Sequence, residues 1–426
     1  MSCDFDILIV GGGMVGASLA HALKGVPLRI GIIEAYPLHD ENQPSYDSRA
    51  IALSYGSKRI FDALGVWQAM KAETVTPITR IHVSDKGHFG AVRLDATEEG
   101  VEALGYVAEA SVIGRALAAD LASLPHVELL CPAALTEVQI DEDQARVTVE
   151  QNGVLRDVTA RLVVAADGGR STVRQQLGAK TFKLGYGQTA VIANVITERE
   201  HGGIAYERFT ESGPLALLPN NAPAWMNDSD SGERRWSLVW TVRDEMVEEH
   251  LQLSDALFIA RLQKRLGRRA GRILSVTPRH AYPLGLEYVR DHVRPRLAFI
   301  GNAAHLIHPV AGQGFNLGLR DVAVLAEVLA AAAAERRDPG LMATLQRYAA
   351  WRRPDYLRVM GMTDGLARTF SNDFKPLVVA RNLGMVAMDL LPPARRLLTH
   401  QAMGMTGRQS RLARGLSLGG MMGGVE

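Results

Sequence analysis

The chain opens on a short apolar run, residues 5–10, that stops at glycine; a helix-like stretch over 14–24 follows, then a second apolar run, 28–33, closed by Glu34. Two β-rich runs around one helical pattern predict a βαβ unit. Residues 47–64 carry a helical period, whereas 80–84, 92–94 and 106–108 predict short strands. Ser111 stands where it can cap a helix running through Leu121. Three runs over 135–140, 145–150 and 154–159 predict an antiparallel meander, after which 162–166 returns to a buried strand.

From residue 185 to 282 the pattern changes to alternating apolar and polar positions, as in 190–196, 205–209 and 236–242, with a helix over 255–266. This predicts a second, sheet-containing domain. A buried strand returns at 297–300, and from Phe315 the pattern is helical, through the alanines of 330–334 and a long stretch from Leu341. The first domain is therefore expected in three pieces, 1–75, 106–184 and 286–335. The second takes 76–105 and 185–285, and 336–426 forms a helical C-terminal region with a basic tail. No internal repeat is visible. The last 35 residues, 392–426, are rich in Gly and Met and read as a tail or loose helix.

Composition narrows the class. With 426 residues, 47% hydrophobic and 22% charged, the chain has material for a large core and not the profile of a disordered protein. A formal charge of +1 provides no electrostatic footprint for nucleic acid. The sum conceals a segregation: residues 392–426 hold five Arg and one Glu, or +4, which leaves 42 bases and 45 acids, or −3, in 1–391. A solvated tail, or docking to anionic lipid or an acidic partner, are the two readings of that end. Cys3 and Cys131 are too few for a disulfide framework and fit a reducing compartment, with Cys131 expected as packing. The N-terminus carries acids where an export signal carries bases, and the apolar stretch 377–391 is broken by Arg381, Asn382 and Asp389, so neither a secretory signal nor a spanning helix is expected. The expected location is the cytoplasm, with contact to the inner membrane surface as an open reading.

Gly11, Gly13 and Gly16 match G-x-G-x-x-G directly after a strand and at the start of a helix. Glycines allow a tight turn and close backbone approach, and the helix N-terminus offers unpaired N–H groups to a pyrophosphate. Glu34, 18 residues after Gly16, is placed to accept hydrogen bonds from a ribose diol. A dinucleotide is expected, although this motif alone does not separate FAD from NAD. Two more strands end in tight turns, at Asp167-Gly168 and at Gly301-Asn302, on the side where such sheets bind ligands. A loop containing Pro309, Gly312 and Gly314 then leads into the helix from Phe315, and its N–H groups and helix dipole suit a planar, electron-accepting ring. Taken singly, each turn is equally well an ordinary connection. His305 and His308 precede this loop and are read as structural rather than catalytic.

Together these segments resemble the FAD-dependent aromatic hydroxylases related to para-hydroxybenzoate hydroxylase. The resemblance runs from about residue 5 to about residue 400 and includes Asp47-Ser-Arg-Ala-Ile-Ala-Leu53 and Ser111-Val-Ile-Gly-Arg115. Further segments, His82-Val-Ser-Asp-Lys-Gly-His88, Glu207-Arg-Phe-Thr210 and Ser237-Leu-Val-Trp240, are similar to the ubiquinone-pathway branch. The resemblance implies an α/β fold of the para-hydroxybenzoate hydroxylase type, a Rossmann-type FAD domain with an inserted sheet-containing substrate domain and a helical C-terminal region. It implies FAD as cofactor and NAD(P)H as transient reductant. The implied reaction transfers one oxygen atom from O2 to a polyprenylated phenol, foremost 2-polyprenyl-6-methoxyphenol, with another ring position as the alternative. Gly11, Gly13, Gly16 and Glu34 would hold the ADP half, Arg49 and Arg115 the flavin or pyrophosphate side, and Asp167 and Gly168 the groove between NAD(P)H and FAD. Gly301, Asn302, Pro309, Gly312, Gly314 and Asn316 would surround the ribityl chain and ring. Where the family has Gly-Asp this chain has Gly301-Asn302, which keeps hydrogen bonding and removes a charge. No side chain declares itself as a catalytic base. A flavin enzyme that dehydrogenates or reduces a prenyl chain, or a flavin-bound scaffold subunit of a biosynthetic assembly, are the competing readings.

Overall fold

The computed structural model describes residues 3–38, 43, 47–222, 232–307, 312–370 and 374–419. Its first sheet has eight strands, with a parallel centre assembled from distant parts of the chain. Phe5–Val10 lies between Ile30–Ile33 and the far half of Val154–Ala165; Val127–Leu130 extends one side and Leu297–Phe299 the other. The central strands are almost wholly buried, because helices cover one face and side chains of the antiparallel meander the other, which is why they read as continuous apolar runs rather than alternating ones. The expected meander is present: Ala134–Ile140, Ala145–Gln151 and the first half of Val154–Ala165 pair antiparallel, and the last strand continues without a break into the parallel sheet.

The second sheet has nine strands. Its longest, Thr181–Thr197, pairs with His280–Val289 and Arg235–Arg243, and the order continues through Gly213–Pro219 and Ile204–Thr210 to Arg80–Asp85 and Ala91–Asp95. Residues 80–95 thus join a sheet formed mainly by residues more than a hundred positions later. A small third sheet, Ala50–Ser54, Gly105–Glu109 and Thr76–Ile78, lies where the two large ones meet. A buried ion pair across that junction joins Arg235 to Glu109 at 2.8 Å.

Three expectations need correction. Residues 47–64 are not one helix: Ala50–Ser54 is a strand, and the helix Tyr55–Leu64 begins only after Ser54, whose side chain caps it from Ser57 N–H. Edge pairing with Gly105–Glu109 overrides the helical period there. Ser111 is not a cap, because the helix Ala110–Ala118 starts one residue earlier and the Ser111 hydroxyl is buried without a partner. The C-terminal residues are not loose. Beyond the helix Pro392–Ala402, Met403, Leu412, Ala413 and Leu418 are buried, and residues 412–414 pack on Tyr55–Leu64. Met421 and Met422 lie outside the described residues.

Candidate active site

The strand Phe5–Val10 delivers the chain into the glycine turn at its carboxyl end. Gly11 has φ +101°, and a Cβ there would stand 2.7 Å from Ala166 O. At Gly16 a Cβ would stand 1.9 Å from Gly11 O, so the helix Met14–Ala22 lies against the turn only because both positions lack side chains. Gly13 caps that helix in extended backbone with no side-chain bond, so the first-turn N–H groups are left to face a ligand. Glu34 is buried at the end of Ile30–Ile33; its Oε2 accepts from Gly12 N at 2.7 Å and its Oε1 from Tyr36 N at 2.9 Å. It therefore fixes the shape of the glycine turn and still has lone pairs to offer to a ribose.

Asp167 and Gly168 stand beside the glycine turn. One Asp167 oxygen accepts from Val173 N at 3.2 Å, while the other is buried with no protein partner. Burial pushes the Asp167 carboxyl above its ordinary range. An orphaned acceptor next to a cradle that excludes side chains is what a polar cofactor with hydroxyls would complete. The residues present fit a dinucleotide.

Across the groove, Gly301 has φ +58° and packs against Val15, and a Cβ on Gly318 would be 3.1 Å from Gly301 Cα. The helix Gln313–Ala334 therefore rests directly on the Gly301 turn. Gly312, at φ +61°, caps this helix, and a Cβ there would meet Ala52 at 2.9 Å. Asn302 and Gly314 also line the groove. Pro309 and His308 lie outside the described residues. Asn316 lines the groove as well, but its amide is committed to the protein: Oδ1 accepts from Ser54 N at 2.8 Å and from the Ser57 hydroxyl at 2.7 Å, and Nδ2 donates to Ala52 O and Gly312 O. Its role is to tie the strand Ala50–Ser54 to the start of the long helix.

The two arginines part company. Arg49 lines the groove, paired with Asp47 and 5.0 Å from the Tyr282 ring centre. Arg115 does not reach it. Its guanidinium donates to Glu73, Nε to Oε2 at 3.0 Å, on the outer side of the helix Ala110–Ala118. Glu73 ends the helix Trp67–Glu73, which packs on Ala110–Ala118, and nothing local to Arg115 announces that acid.

Sequence reasoning also missed what lies under the Gly301 turn. Asp321 is fully buried; Oδ2 accepts from Gly301 N at 3.0 Å and contacts His305 Nε2 at 2.6 Å, and Oδ1 accepts from Arg352 Nε at 2.8 Å and the Tyr356 hydroxyl at 2.6 Å. Burial alone would raise this carboxyl, but His305 and Arg352 outweigh it and hold it below the usual range. His305 is buried and is not part of the groove wall, in keeping with a structural histidine. Asp321 lies in the helix that the Gly312–Gly314 loop leads into, but its partner Arg352 sits 31 residues on, inside Met342–Phe370.

The groove is one end of a cavity of about 1430 Å³. From Gly11 and Gly301 it passes Tyr282 and enters an apolar chamber walled by Ile81, Leu94, Val239, Phe370, Met385 and Met388. That volume exceeds the usual range for a single small ligand and has room for two. The chamber lies between the nine-stranded sheet and the C-terminal helices Met342–Phe370, Lys375–Leu390 and Pro392–Ala402, and Phe370 stacks on Phe209 of the sheet with ring centres 3.7 Å apart.

Residues 4–360 match the family described as FAD binding domain. Ubiquinone hydroxylase UbiL of Rhodospirillum rubrum is 40% identical over 97% of this chain and 93% of its own length. The 3-demethoxyubiquinol 3-hydroxylase of Escherichia coli is 32% identical over 94% of this chain and 98% of its own. Among solved structures, p-nitrophenol 4-monooxygenase PnpA of Pseudomonas putida superposes with a TM-score of 0.75 at 19% identity, over 95% of this chain and 98% of that one, which shows a shared fold of the para-hydroxybenzoate hydroxylase type.

Proposed function

The chain belongs to the FAD binding domain family, and from that premise we propose that it hydroxylates the ring of a polyprenylated phenol in ubiquinone biosynthesis, using NAD(P)H and O2. It is a flavoprotein aromatic hydroxylase. The observation that carries the substrate reading is the continuity of the cavity: a glycine-rich, polar groove for a dinucleotide opens without a partition into a chamber lined mainly by aliphatic, aromatic and thioether side chains. A phenol ring at the junction beside Tyr282 would leave its prenyl chain in that chamber.

In this reading Gly11, Gly13, Gly16 and Glu34 hold the ADP half of FAD, Arg49, Asp167 and Gly168 border the pyrophosphate and the NAD(P)H approach, and Gly301, Asn302, Gly312 and Gly314 face the ribityl chain and ring. FAD held there would supply the redox chemistry that links NAD(P)H to O2. The protein contributes position and environment. The N-terminus of Gln313–Ala334 would stabilise negative charge on a ring bound beside it, Asn316 keeps that N-terminus in place, and the apolar chamber would keep water from the reacting atoms. The FAD-binding unit then comprises 1–75, 106–184 and 286–335, and 76–105 with 185–285 the substrate unit.

The ring carbon attacked is a finer proposal. 2-Polyprenyl-6-methoxyphenol is the first candidate, and a different ring position is favoured by the name of the E. coli relative. A lipid-like substrate supports a location at the cytoplasmic surface of a membrane, among other proteins of the pathway. The test is to incubate the purified FAD-loaded protein with NAD(P)H, O2 and short-chain prenyl phenols of each substitution pattern. One hydroxylated product per NAD(P)H supports the reading and fixes the position. A protein that binds FAD and phenol without consuming NAD(P)H is a scaffold subunit instead.

A further inference from the structure

Helix Lys375–Leu390 is amphipathic in reverse. Its polar side chains face the protein: Arg381 and Asn382 both donate to Asp85 at 2.9 Å, Asn382 accepts from Gly90 N at 2.9 Å, and Asp389 accepts from Arg93 N at 2.8 Å. These are the residues that interrupt the apolar stretch in sequence, and all three are turned inward. The outward stripe, at helical spacing, is Val379, Ala380, Leu383, Ala387 and Leu390, without a charge. Helix Pro392–Ala402 follows at a bend of 96°, and no single helix among the described residues is long and apolar enough to cross a membrane.

Phe374, Val379, Leu383, Leu390, Leu391 and Leu397 are six of the eighteen exposed large apolar side chains among the described residues, and they fall within 24 positions. Leu390 is 71% and Leu397 69% exposed. An apolar surface this concentrated marks an interaction site rather than ordinary scatter. Exposed bases flank it, Lys375 on one side and Arg396 on the other, while Arg381 is committed to Asp85 and Arg395 to Glu98. The same two helices wall the far end of the cavity through Met385, Met388, Leu398 and Ala402.

We propose that this bent helix pair is a monotopic docking surface for an anionic lipid bilayer, set so that the apolar chamber opens toward the membrane from which its substrate comes. The outward stripe lies in the interface, the flanking bases meet lipid headgroups, and the inner face guides the prenyl chain past Met388 and Leu398. The inference rests on the reading of the chamber as the site of a lipid-borne substrate and deepens it by naming the surface that receives it. A protein partner or a second copy of the chain would select for shape and polar complementarity, whereas this stripe offers only aliphatic side chains beside isolated cations.

Vesicle flotation tests this without any substrate, so its outcome is independent of whether the enzyme hydroxylates a given phenol. The FAD-loaded protein is expected to float with phosphatidylglycerol-containing vesicles and to stay below with phosphatidylcholine alone. Leu383→Glu with Leu390→Glu should lower the vesicle partition coefficient by about tenfold or more while FAD absorbance and melting temperature are retained. Leu383→Trp, which preserves the apolar face, should show a blue-shifted emission on adding anionic vesicles. Wild-type protein that stays below with anionic vesicles, a double variant that floats as well as wild type, or equal flotation on neutral vesicles overturns the proposal. So does a wild-type dimer that the double variant splits, which would make the face a self-association surface.

Discussion

Asp321 Oδ2 stands 2.6 Å from His305 Nε2 and also receives the N–H of Gly301, so one buried carboxylate fixes a turn that lines the groove. Arg352, itself 2% exposed, completes the charge balance from another helix. Asp321→Asn keeps the size and removes the charge, leaving Arg352 with Asp355 alone. Losing one of the two carboxylates that serve this buried guanidinium costs about 1.5–3 kcal/mol, so the variant should melt at lower temperature and lose FAD on gel filtration. A variant with wild-type melting and full FAD content would show that the turn is held by something else.

His292 lies in the same network, between the rings of Tyr288, Tyr348 and Tyr356, and near Asp321, His305 and Arg352. Burial pushes its pKa down to about 4. The folded protein therefore keeps His292 neutral where the unfolded chain, titrating near 6.5, binds a proton. The unfolded state takes up more protons between these values, so stability falls as pH drops, by about 2 kcal/mol between pH 7 and pH 5. Asp321 and Asp355 act elsewhere: their lowered pKa values add stability above the ordinary carboxylate range that is lost only in stronger acid. His292→Phe should flatten the decline in melting temperature between pH 7 and pH 5, and an unchanged slope would refute the assignment.

Arg115 and Glu73 offer a test of position. As a pair on the outer side of two packed helices, with the Arg115 side chain 40% exposed, they are worth about 1 kcal/mol or less. Arg115→Leu and Glu73→Leu should each lower stability slightly, with a double variant no worse than either, and leave FAD affinity unchanged. A selective loss of FAD in Arg115→Leu would mean that the arginine swings to the cofactor when it binds.

The glycine turn makes the sharper prediction for the cofactor. A methyl group at Gly16 would lie 1.9 Å from Gly11 O, inside any permitted contact, and can be relieved only by moving the helix N-terminus off the turn. Gly16→Ala should abolish FAD binding. Asn316→Ala, which frees Ser54 N, Ala52 O and Gly312 O together, should weaken FAD by about tenfold or more, the cost of leaving buried polar groups unpaired. Fluorescence titration of apoprotein with FAD measures both.

What could be read without coordinates was local. Gly11, Gly13, Gly16 and Glu34 are close in sequence, and a strand, a turn and a helix in that order constrain one another, so the cradle and the parallel strands that carry it were legible. The interrupted course of the first sheet was legible for the same reason, because buried parallel strands such as 162–165 and 297–299 stand out as apolar runs. Pairings set by distant partners were not. Ala50–Ser54 became a strand through Gly105–Glu109, Arg115 was drawn off by Glu73, and Asp321 owes its burial to Arg352 and Tyr356. Inward and outward faces of Lys375–Leu390 were hidden too, since a charged residue in an apolar stretch reads as an interruption until Asp85 and Arg93 are seen to meet it.

The C-terminal segment yields the last prediction. Residues 403–419 belong to the stretch 392–426 that reads from sequence as a solvated or docking tail, yet they hold the helix behind the cavity wall. Met403 O accepts from Gly56 N at 2.8 Å, Arg411 N donates to Glu327, Trp351 Nε1 donates to Arg408 O at 3.2 Å, and Arg408 lies 3.7 Å over the Trp351 ring. Leu412 is 1% exposed against Tyr55–Leu64, the helix that continues from the strand Asn316 clamps. Leu412→Ala should cost about 2–5 kcal/mol, as for other buried leucines. Ending the chain at residue 402 should lower the melting temperature and FAD content together. A 402-residue chain with wild-type melting would restore the tail to solvent and remove Leu412 from the core.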